Sequence, residues 1–425
     1  MPEDDTVQHP TRSLAPPSLA GAQWLVRPET KRAFAALSGD TGATRAVGGA
    51  VRDALLGLPV SDVDLATTLD PEKVIARVRG AGLKAIPTGL DHGTVTIVAD
   101  GTSFEVTTLR RDEETFGRKA TVAFTDDWAE DAARRDFTLN ALYAGADGTL
   151  FDPLGGYPDL AAGRVRFIGD PVQRINEDYL RILRFFRFNA SYGRGAFDAD
   201  GLSACVRQRA GLRLLSAERV AAELKRLLVA PRAAEAVSIL FTHGLLCDIL
   251  GSVPRLPCFE RLVKVEGALG RVPNAILRLA ALAVFIPEDA KRLAQRFRLS
   301  NAEQALLALG GAPFDRALPD EAAARRKLYR LGREAYAARV LLAWAMSNAP
   351  ADDADWRRAA TLADHWDPPV FPLRGPDITA LGNFSGPEIG DMLRKLEGQW
   401  IEGGFAEDRD GLLALAQELA ARGSA

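Results

Sequence analysis

A glycine-rich turn and a pair of carboxylates stand close together in residues 47–65, which read VGGAVRDALLGLPVSDVDL. The pattern predicts a short strand that ends at Gly48 and a helix that begins after Gly49. Glycines at such a junction let backbone N–H groups approach an anion, and the beginning of a helix favours negative charge. Arg52 adds a guanidinium that suits phosphate. A Gly-Gly turn by itself, however, is more often only a turn.

The two carboxylates of this stretch, Asp62 and Asp64, are separated by one residue. On a strand they would point to the same face and repel each other unless a cation lay between them. The pair therefore predicts a divalent metal site, in which Mg²⁺ bridges carboxylates and phosphates. An isolated D-x-D pair more often marks an acidic surface strand, but the glycine turn upstream favours the metal site.

A third carboxylate, Glu105, lies in the β-rich run 103–109, SFEVTTL. It is either a further ligand of a two-metal site or an exposed strand residue. The sequence leaves both interpretations open.

Two arginines and an aspartate begin the segment RRDFTLNALY at residues 134–143, and the run that follows them is predicted to be helical. Arg135 and Asp136 either hold phosphate and a sugar hydroxyl or form an ion pair at the cap of an ordinary helix. The residue types alone do not separate these two functions.

The segment EDYLRILRFFRF at residues 177–188 is predicted to form one helix with two faces. Asp178 and Arg181 would then be neighbours on one side, and Arg184 would continue the stripe. Such a pair can read a base edge, because arginine donates to carbonyl and ring acceptors while a carboxylate accepts from an amine. An intrahelical salt bridge is the simpler alternative.

Composition and periodicity describe the whole chain of 425 residues, of which 47% are hydrophobic and 26% charged. These values are typical of a globular protein, and no apolar run approaches the roughly 18 residues of a membrane span. Three widely spaced cysteines predict reduced thiols and a cytoplasmic location. After about Gly163 the apolar residues recur at three- and four-residue spacing, which indicates that the rest of the chain is helical.

Five motifs in this order resemble the class II tRNA nucleotidyltransferase and bacterial poly(A) polymerase family: GGAVRD, PVSDVDLATT, RRDFTLNALY, DPLGGYPDL and EDYLRILRFFRF. The resemblance covers residues 43–232, and it is specific because the motifs come in sequence with fitting spacing. A weaker similarity to the tail of CCA-adding enzymes covers residues 372–401.

The resemblance implies an α+β fold, in which a polymerase-β-like nucleotidyltransferase head is followed by an all-α neck, body and tail. The implied boundaries are a flexible arm at 1–20, the head at 21–162, the neck at 163–232, the body at 233–345 and the tail at 346–425.

The resemblance also implies that C, C and A are added from CTP and ATP to the 3′ end of tRNA, without a nucleic-acid template. Asp62 and Asp64 would be catalytic and would bind two Mg²⁺ ions. The implied nucleotide-binding residues are Gly48, Gly49, Arg52, Arg135, Asp136, Asp178, Arg181 and Arg184.

Poly(A) polymerase is the nearest alternative, because it shares the head. Residues 84–94, KAIPTGLDHGT, lack the basic segment typical of that branch, which favours CCA addition. The sequence also leaves open the interpretation that the enzyme adds only CC or only A. No His-Asp pair of an appended phosphohydrolase occurs, and both D-x-D carboxylates are present, which argues against an inactive RNA-binding scaffold.

Charge is unevenly distributed along the chain, whose net charge is −3. Residues 164–232 contain 14 Lys and Arg against 7 Asp and Glu. The near-neutral average therefore conceals a basic segment that suits RNA and nucleotide phosphate.

Overall fold

The computed structural model describes residues 17–37, 42–116, 119–313, 318 and 320–423. Residues 1–16 of the predicted arm lie outside this range. The chain divides into two compact units, residues 1–249 and 250–425. The finer division into head, neck, body and tail stays a prediction.

The first unit contains nine strands, which are β1 Thr44–Val47, β2 Asp64–Thr67, β3 Lys84–Gly89, β4 Thr94–Ala99, β5 Thr102–Thr108, β6 Arg110–Phe116, β7 Lys119–Phe124, β8 Tyr143–Ala144 and β9 Leu150–Phe151, within its described residues. Its helices are α1 Gln23–Val26, α2 Pro28–Leu37, α3 Gly49–Leu55, α4 Pro71–Gly80, α5 Trp128–Ala133, α6 Gly156–Ala162, α7 Pro171–Glu177, α8 Leu180–Tyr192, α9 Ala199–Arg207, α10 Ala217–Val229, α11 Ala233–Thr242 and α12 Leu245–Leu250, whose last residue begins the second unit. Short 3₁₀ turns occupy Leu90–His92, Thr138–Asn140 and Arg209–Leu214.

A seven-stranded sheet in the order β3-β4-β5-β2-β1-β8-β9 forms the centre of this unit, and β6 and β7 form a separate pair. Neighbouring strands of the large sheet are antiparallel except β2 and β5, which are parallel. Val47 lies opposite Asp64, and Asp64 lies opposite Glu105. The register therefore brings the glycine turn and the carboxylates to the same end of the sheet.

The helix predicted within residues 134–143 is wrong. The structure has only the 3₁₀ turn Thr138–Asn140, and Tyr143 begins strand β8, where it pairs with Val47 of β1. A place in the buried sheet outweighs the local helical preference of this run.

The single helix predicted over residues 177–188 is interrupted at Asp178, whose backbone is extended. The carboxylate of Asp178 accepts a hydrogen bond from the N–H of Leu180 at 3.1 Å, at the beginning of α8. The ring of Tyr179 lies against Gly211, where an added Cβ would be 1.9 Å from a ring carbon. Asp178 and Arg181 are therefore not neighbours on one helix, and the interruption changes what each of them contacts.

The second unit is helical throughout its described residues. Its helices are α13 Leu256–Leu269, α14 Ala275–Ala283, α15 Pro287–Phe297, α16 Asn301–Ala308, α17 Glu321–Leu331, α18 Arg333–Met346, α19 Ala354–His365, α20 Gly375–Thr379, α21 Gly386–Glu402 and α22 Arg409–Gly423, with a 3₁₀ turn at Leu309–Gly311. One core cluster is centred on Trp400, which packs against Tyr329, Phe371 and Phe405. A mixed-sheet head followed by helices confirms the predicted fold class.

None of the helices in the described residues is both long enough and apolar enough to cross a membrane.

Candidate functional site

A cavity of about 410 Å³ in the first unit brings together nine of the ten residues that the sequence predicted for the site. These are Gly48, Gly49, Arg52, Asp64, Arg135, Asp136, Asp178, Arg181 and Arg184. Asp62 does not line the cavity. Five further lining residues were not predicted: Val47, Asn140, Leu180, Phe188 and Arg219.

Gly48 turns the chain from β1 into α3 with a positive φ of 69°. Residues with a side chain rarely adopt this conformation, so the turn favours glycine. Its N–H donates to the carbonyl of Leu142 at 3.1 Å, and a Cβ added here would lie 3.7 Å from Nη1 of Arg135. Gly48 therefore shapes the turn and keeps the space beside Arg135 open. The N–H of Gly49 is not needed by the helix that it begins.

Arg52 is buried in the cavity wall, and its guanidinium is engaged with the protein on every nitrogen. Nε donates to Asp53 at 2.9 Å, Nη1 to the side chain of Asn140 at 2.6 Å and Nη2 to the hydroxyl of Tyr192 at 2.6 Å. The guanidinium also lies over the Tyr192 ring, 4.0 Å from its centroid. Arg52 therefore fixes α3 against α8, and its predicted contact with phosphate stays a prediction.

Three carboxylates affect one another electrostatically at the beginning of β2. Asp64 begins the strand, Asp62 lies two residues before it, and Glu105 occupies the register position beside Asp64 on β5. Burial raises the pKa of Asp64, and the negative charges of Glu105 and Asp62 raise it further, whereas Arg135 acts in the opposite direction. A divalent cation would neutralise this repulsion, so the donor set fits one. No group of three or more His, Cys, Asp or Glu among the described residues is already arranged to hold an ion.

Arg135 is oriented by Asp131, a buried residue of α5 that the sequence did not single out. Nε and Nη2 of Arg135 lie 3.3 and 3.1 Å from one carboxylate oxygen of Asp131, which also accepts from the hydroxyl of Tyr143 at 2.8 Å. Nε of Arg134 donates to the other oxygen at 2.8 Å. Burial alone would raise the pKa of Asp131, but the charges of Arg135 and Arg134 and the Tyr143 hydroxyl lower it below its usual range.

Asp131→Asn is expected to lower the free energy of unfolding by about 3 kcal/mol at neutral pH, because a buried ion pair loses one partner. A carboxyl whose pKa is lowered on folding stabilises the protein above its unfolded pKa, near 4, and this contribution disappears as the pH falls through the folded pKa. Urea denaturation at pH 7 and 5 should show the same difference from the unmodified protein, and the difference should shrink below about pH 4. Exposed Asp126→Asn is the matched control; a similar loss there would contradict the role of Asp131.

Asp136 is buried and holds Arg184 in place. One of its carboxylate oxygens accepts from Nε and Nη2 of Arg184, at 2.7 and 2.5 Å, and the other accepts from Asn140 at 2.9 Å. Burial acts to raise the pKa of Asp136, but the charge of Arg184 and these hydrogen bonds lower it. Arg184 also lies 3.6 Å from buried Glu223 of α10. Asp136 thus fixes Arg184 of α8 beside the cavity.

Aromatic packing brings the segment of Asp136 against Phe167 and helix α8. The Phe137 ring lies 4.8 Å from Phe167 and 5.1 Å from Phe188 of α8, and Phe167 stacks on Phe185 at 5.4 Å. Because Phe137 follows Asp136 directly and α8 carries Arg184, this cluster determines that the two charged groups meet.

Asp178 and Arg181 both line the cavity, but each pairs with a residue other than its predicted neighbour. Asp178 contacts Arg219 of α10 at 2.6 Å. Arg181 pairs with Glu177, and its Nη1 donates to the carbonyl of Arg174 at 2.6 Å. The predicted Asp178–Arg181 pair on one helix face is therefore wrong, although both residues still line the cavity.

The motif DPLGGYPDL, residues 152–160, stabilises the cavity wall without lining the cavity. Asp152 accepts from the N–H groups of Gly156 and Tyr157 at 2.8 Å, at the beginning of α6. A Cβ at Gly156 would lie 2.2 Å from the carbonyl oxygen of Thr138, so glycine is required for this contact. Asp159 accepts from the hydroxyl of Thr138 at 2.8 Å. The motif positions the 138–140 turn and contributes no lining residue.

The cavity combines an arginine-rich wall with a carboxylate edge. Five arginines line it, and Asp64 stands with Glu105 at the end of the sheet. Arginine forks suit phosphate and base acceptors, while adjacent carboxylates suit a divalent cation. The arrangement can hold a nucleoside triphosphate with a cation beside its phosphates.

Comparison with known proteins gives a consistent result. The family model "Poly A polymerase head domain" matches residues 44–166. The mouse CCA tRNA nucleotidyltransferase 1, mitochondrial, is 37% identical over 385 residues, which cover 87% of this chain and 85% of the mouse protein. The CCA-adding enzyme of Limosilactobacillus fermentum is 31% identical over 379 residues, which cover 88% of this chain and 92% of that enzyme.

Solved structures show the same architecture. The Bacillus stearothermophilus CCA-adding enzyme in complex with CTP has a TM-score of 0.69 and 28% identity, and the match covers 94% of this chain and 99% of that one. The Thermotoga maritima CCA-adding enzyme complexed with tRNA has a TM-score of 0.61 and 19% identity, with coverage of 89% and 91%. The second similarity is evidence for the fold alone.

Proposed function

Because the chain belongs to the family of CCA-adding tRNA nucleotidyltransferases, we propose that the cavity of the first unit is where it adds nucleotides to tRNA. The protein is a nucleotidyltransferase, and its reaction is CCA addition. One observation carries the assignment of the site: residues from four separate motifs, including Gly48, Asp64, Arg135 and Arg181, line a single cavity.

The triphosphate is proposed to bind between the Gly48–Gly49 turn and Arg135. Within the described residues no acceptor takes a hydrogen bond from Nη1 of Arg135, the nitrogen nearest to Gly48. Asp131 holds the other side of this guanidinium, so Nη1 is pre-oriented for phosphate. Arg52 contributes by fixing the turn.

The base is proposed to bind at Asp178 and Arg181, with Arg184 beside them. Their side chains are partly exposed, at 33%, 14% and 29%, so a base can reach them. A carboxylate accepts from an exocyclic amine, which cytosine and adenine both carry, and a guanidinium donates to ring and carbonyl acceptors. Protein side chains would thus select the nucleotide without a nucleic-acid template.

Asp62 and Asp64 are proposed to hold two Mg²⁺ ions; Glu105, which lies beside Asp64 in the sheet register, is either a further ligand or a neighbouring strand residue. When bound, the metal ions would supply a lowered pKa at the tRNA 3′-hydroxyl and charge neutralisation at the triphosphate. The protein groups orient the reactants: Arg135 places the phosphates, and the base-reading residues fix the sugar relative to the carboxylates. Positioning of this kind provides most of the acceleration in phosphoryl transfer.

The proposed partners are the 3′ end of tRNA, CTP and ATP. A cytoplasmic location stays a prediction, since the mouse relative is a mitochondrial protein by name.

The decisive experiment supplies tRNA that lacks its 3′ end with CTP, ATP and Mg²⁺. Addition of three nucleotides, followed by a stop, is expected on a sequencing gel. Long adenosine tails would instead support a poly(A) polymerase, and a product with two cytidines or with adenosine alone would support a partial enzyme. Transfer RNA that already ends in CCA is the matched control and should not be extended, and EDTA should abolish addition until Mg²⁺ is restored.

A further inference from the structure

Asn140 is buried in the wall of the cavity and uses both ends of its amide. Its Oδ1 accepts a hydrogen bond from Nη1 of Arg52 at 2.6 Å, and its Nδ2 donates to Oδ1 of Asp136 at 2.9 Å. Among the described residues no other side chain is hydrogen-bonded to both Arg52 and Asp136. The amide is therefore the link between these two charged groups.

The chemistry of the two neighbours determines which side chain fits. Arginine can only donate hydrogen bonds, and an ionised aspartate can only accept them. A side chain between them must accept at one end and donate at the other, within the length of Asn. A carboxylate would face Asp136 with like charge, and an aliphatic group would leave buried polar atoms unpaired, which is costly.

The two neighbours belong to different ends of the proposed nucleotide site. Arg52 fixes α3 and the glycine turn and reaches Tyr192, whereas Asp136 holds Arg184 beside the base-reading residues. Asn140 connects these halves into one hydrogen-bonded network. Hydrogen bonds within such a network strengthen one another, so a bond lost at one end weakens the hold on the other.

We propose that Asn140 is a positioning residue that couples the triphosphate end of the site to the base-reading end, so that nucleotide selection depends on it. The proposal rests on the proposed function. It explains why a neutral amide occupies a wall otherwise rich in charge.

Two variants test the proposal. Asn140→Leu keeps the approximate size and removes both hydrogen bonds, whereas Asn140→Asp keeps the acceptor for Arg52 and loses the donor to Asp136. Each should reduce the preference for CTP over UTP, measured as kcat/KM on tRNA lacking its 3′ end, by roughly 10-fold, the effect of losing a hydrogen bond to a charged group. If the leucine variant does not fold, the aspartate variant answers the same question.

Asn189→Leu is the matched control. Asn189 is a buried amide of α8 that donates to the carbonyl of Phe185 at 2.9 Å, and it does not line the cavity. The Asn189→Leu variant should have a lower temperature of unfolding and an unchanged preference for CTP over UTP. Equal losses of preference in the Asn140 and Asn189 variants would overturn the proposal and assign Asn140 a purely structural role.

A double-mutant cycle separates positioning from direct contact with the nucleotide. If Asn140 acts through Asp136, then Asn140→Leu combined with Asp136→Asn should lose little more selectivity than Asp136→Asn alone. Additive losses would overturn the coupling. An unmodified protein that fails to add CCA would refute the proposed function, whereas Asn140 variants with normal selectivity in a CCA-adding enzyme would refute only this inference.

Discussion

Asp62→Ala and Asp64→Ala are each expected to reduce nucleotide incorporation by about 10³-fold or more, while binding of tRNA is retained. The reason is that each variant removes a carboxylate proposed to hold Mg²⁺, and charge neutralisation provides much of the rate in phosphoryl transfer. The fold should survive, because burial and the charge of Glu105 already raise the pKa of Asp64, so its negative charge is unfavourable in the folded protein. Incorporation is measured with radiolabelled CTP, and tRNA binding by filter retention.

Exposed Asp91 of the same unit is the control for these variants, because it lies outside the cavity lining. Asp91→Ala should incorporate nucleotides at the normal rate. Full activity in the Asp62 or Asp64 variant would refute the metal site.

Glu105→Gln decides the interpretation that the sequence leaves open: a comparable loss of incorporation makes Glu105 a third ligand, and a small change makes it a neighbouring strand residue.

The second large effect is expected from Asp178→Ala combined with Arg181→Ala. Discrimination of CTP and ATP against UTP and GTP should fall by roughly 10- to 100-fold, because paired hydrogen bonds to a base edge contribute about 1–3 kcal/mol. The measurement is kcat/KM for each of the four nucleotides on tRNA lacking its 3′ end. The rate with UTP should rise relative to that with CTP, which general damage to the enzyme would not produce.

Arg213 and Asp248 provide a matched control, since they form an exposed ion pair in the same unit, 3.4 Å apart and outside the cavity. Their double alanine variant removes the same charges and should keep normal selectivity. Arg219→Ala adds a further comparison: it frees Asp178 from its partner without deleting the proposed reader, so its effect should be smaller. Unchanged selectivity in the Asp178 and Arg181 variant would show that another part of the site selects the base.

Much of the fold follows from local signals. Proline at the first position of a helix and apolar periodicity predict α2 and α4, and β-branched runs predict β4 and β5. The helix predicted after Asp136 is wrong because strand β8 forms only by pairing with β1. A local sequence pattern carries no information about that pairing. The predicted helix over 177–188 fails at Asp178 because Tyr179 occupies a space that Gly211, distant in sequence, leaves open.

The residues that orient the site escaped prediction for the same reason. Asp131 and Glu223 sit on helices whose sequences carry no motif, and only burial beside several arginines reveals their function. Asn140 lies within the motif RRDFTLNALY, but an amide next to apolar residues does not by itself indicate a function. A search for polar residues in apolar runs would have found it.

The sequence by itself determined the division into a mixed α/β part and a helical remainder, and the set of side chains proposed to carry the chemistry, because periodicity, glycine turns and motif spacing are properties of neighbouring residues. Only the tertiary structure decided which charge meets which: Asp136 with Arg184, Asp178 with Arg219, and Asn140 between Arg52 and Asp136. These contacts depend on side chains far apart in the chain approaching within about 3 Å, the range of a hydrogen bond. Packing of the first unit sets that approach, and no local pattern records it.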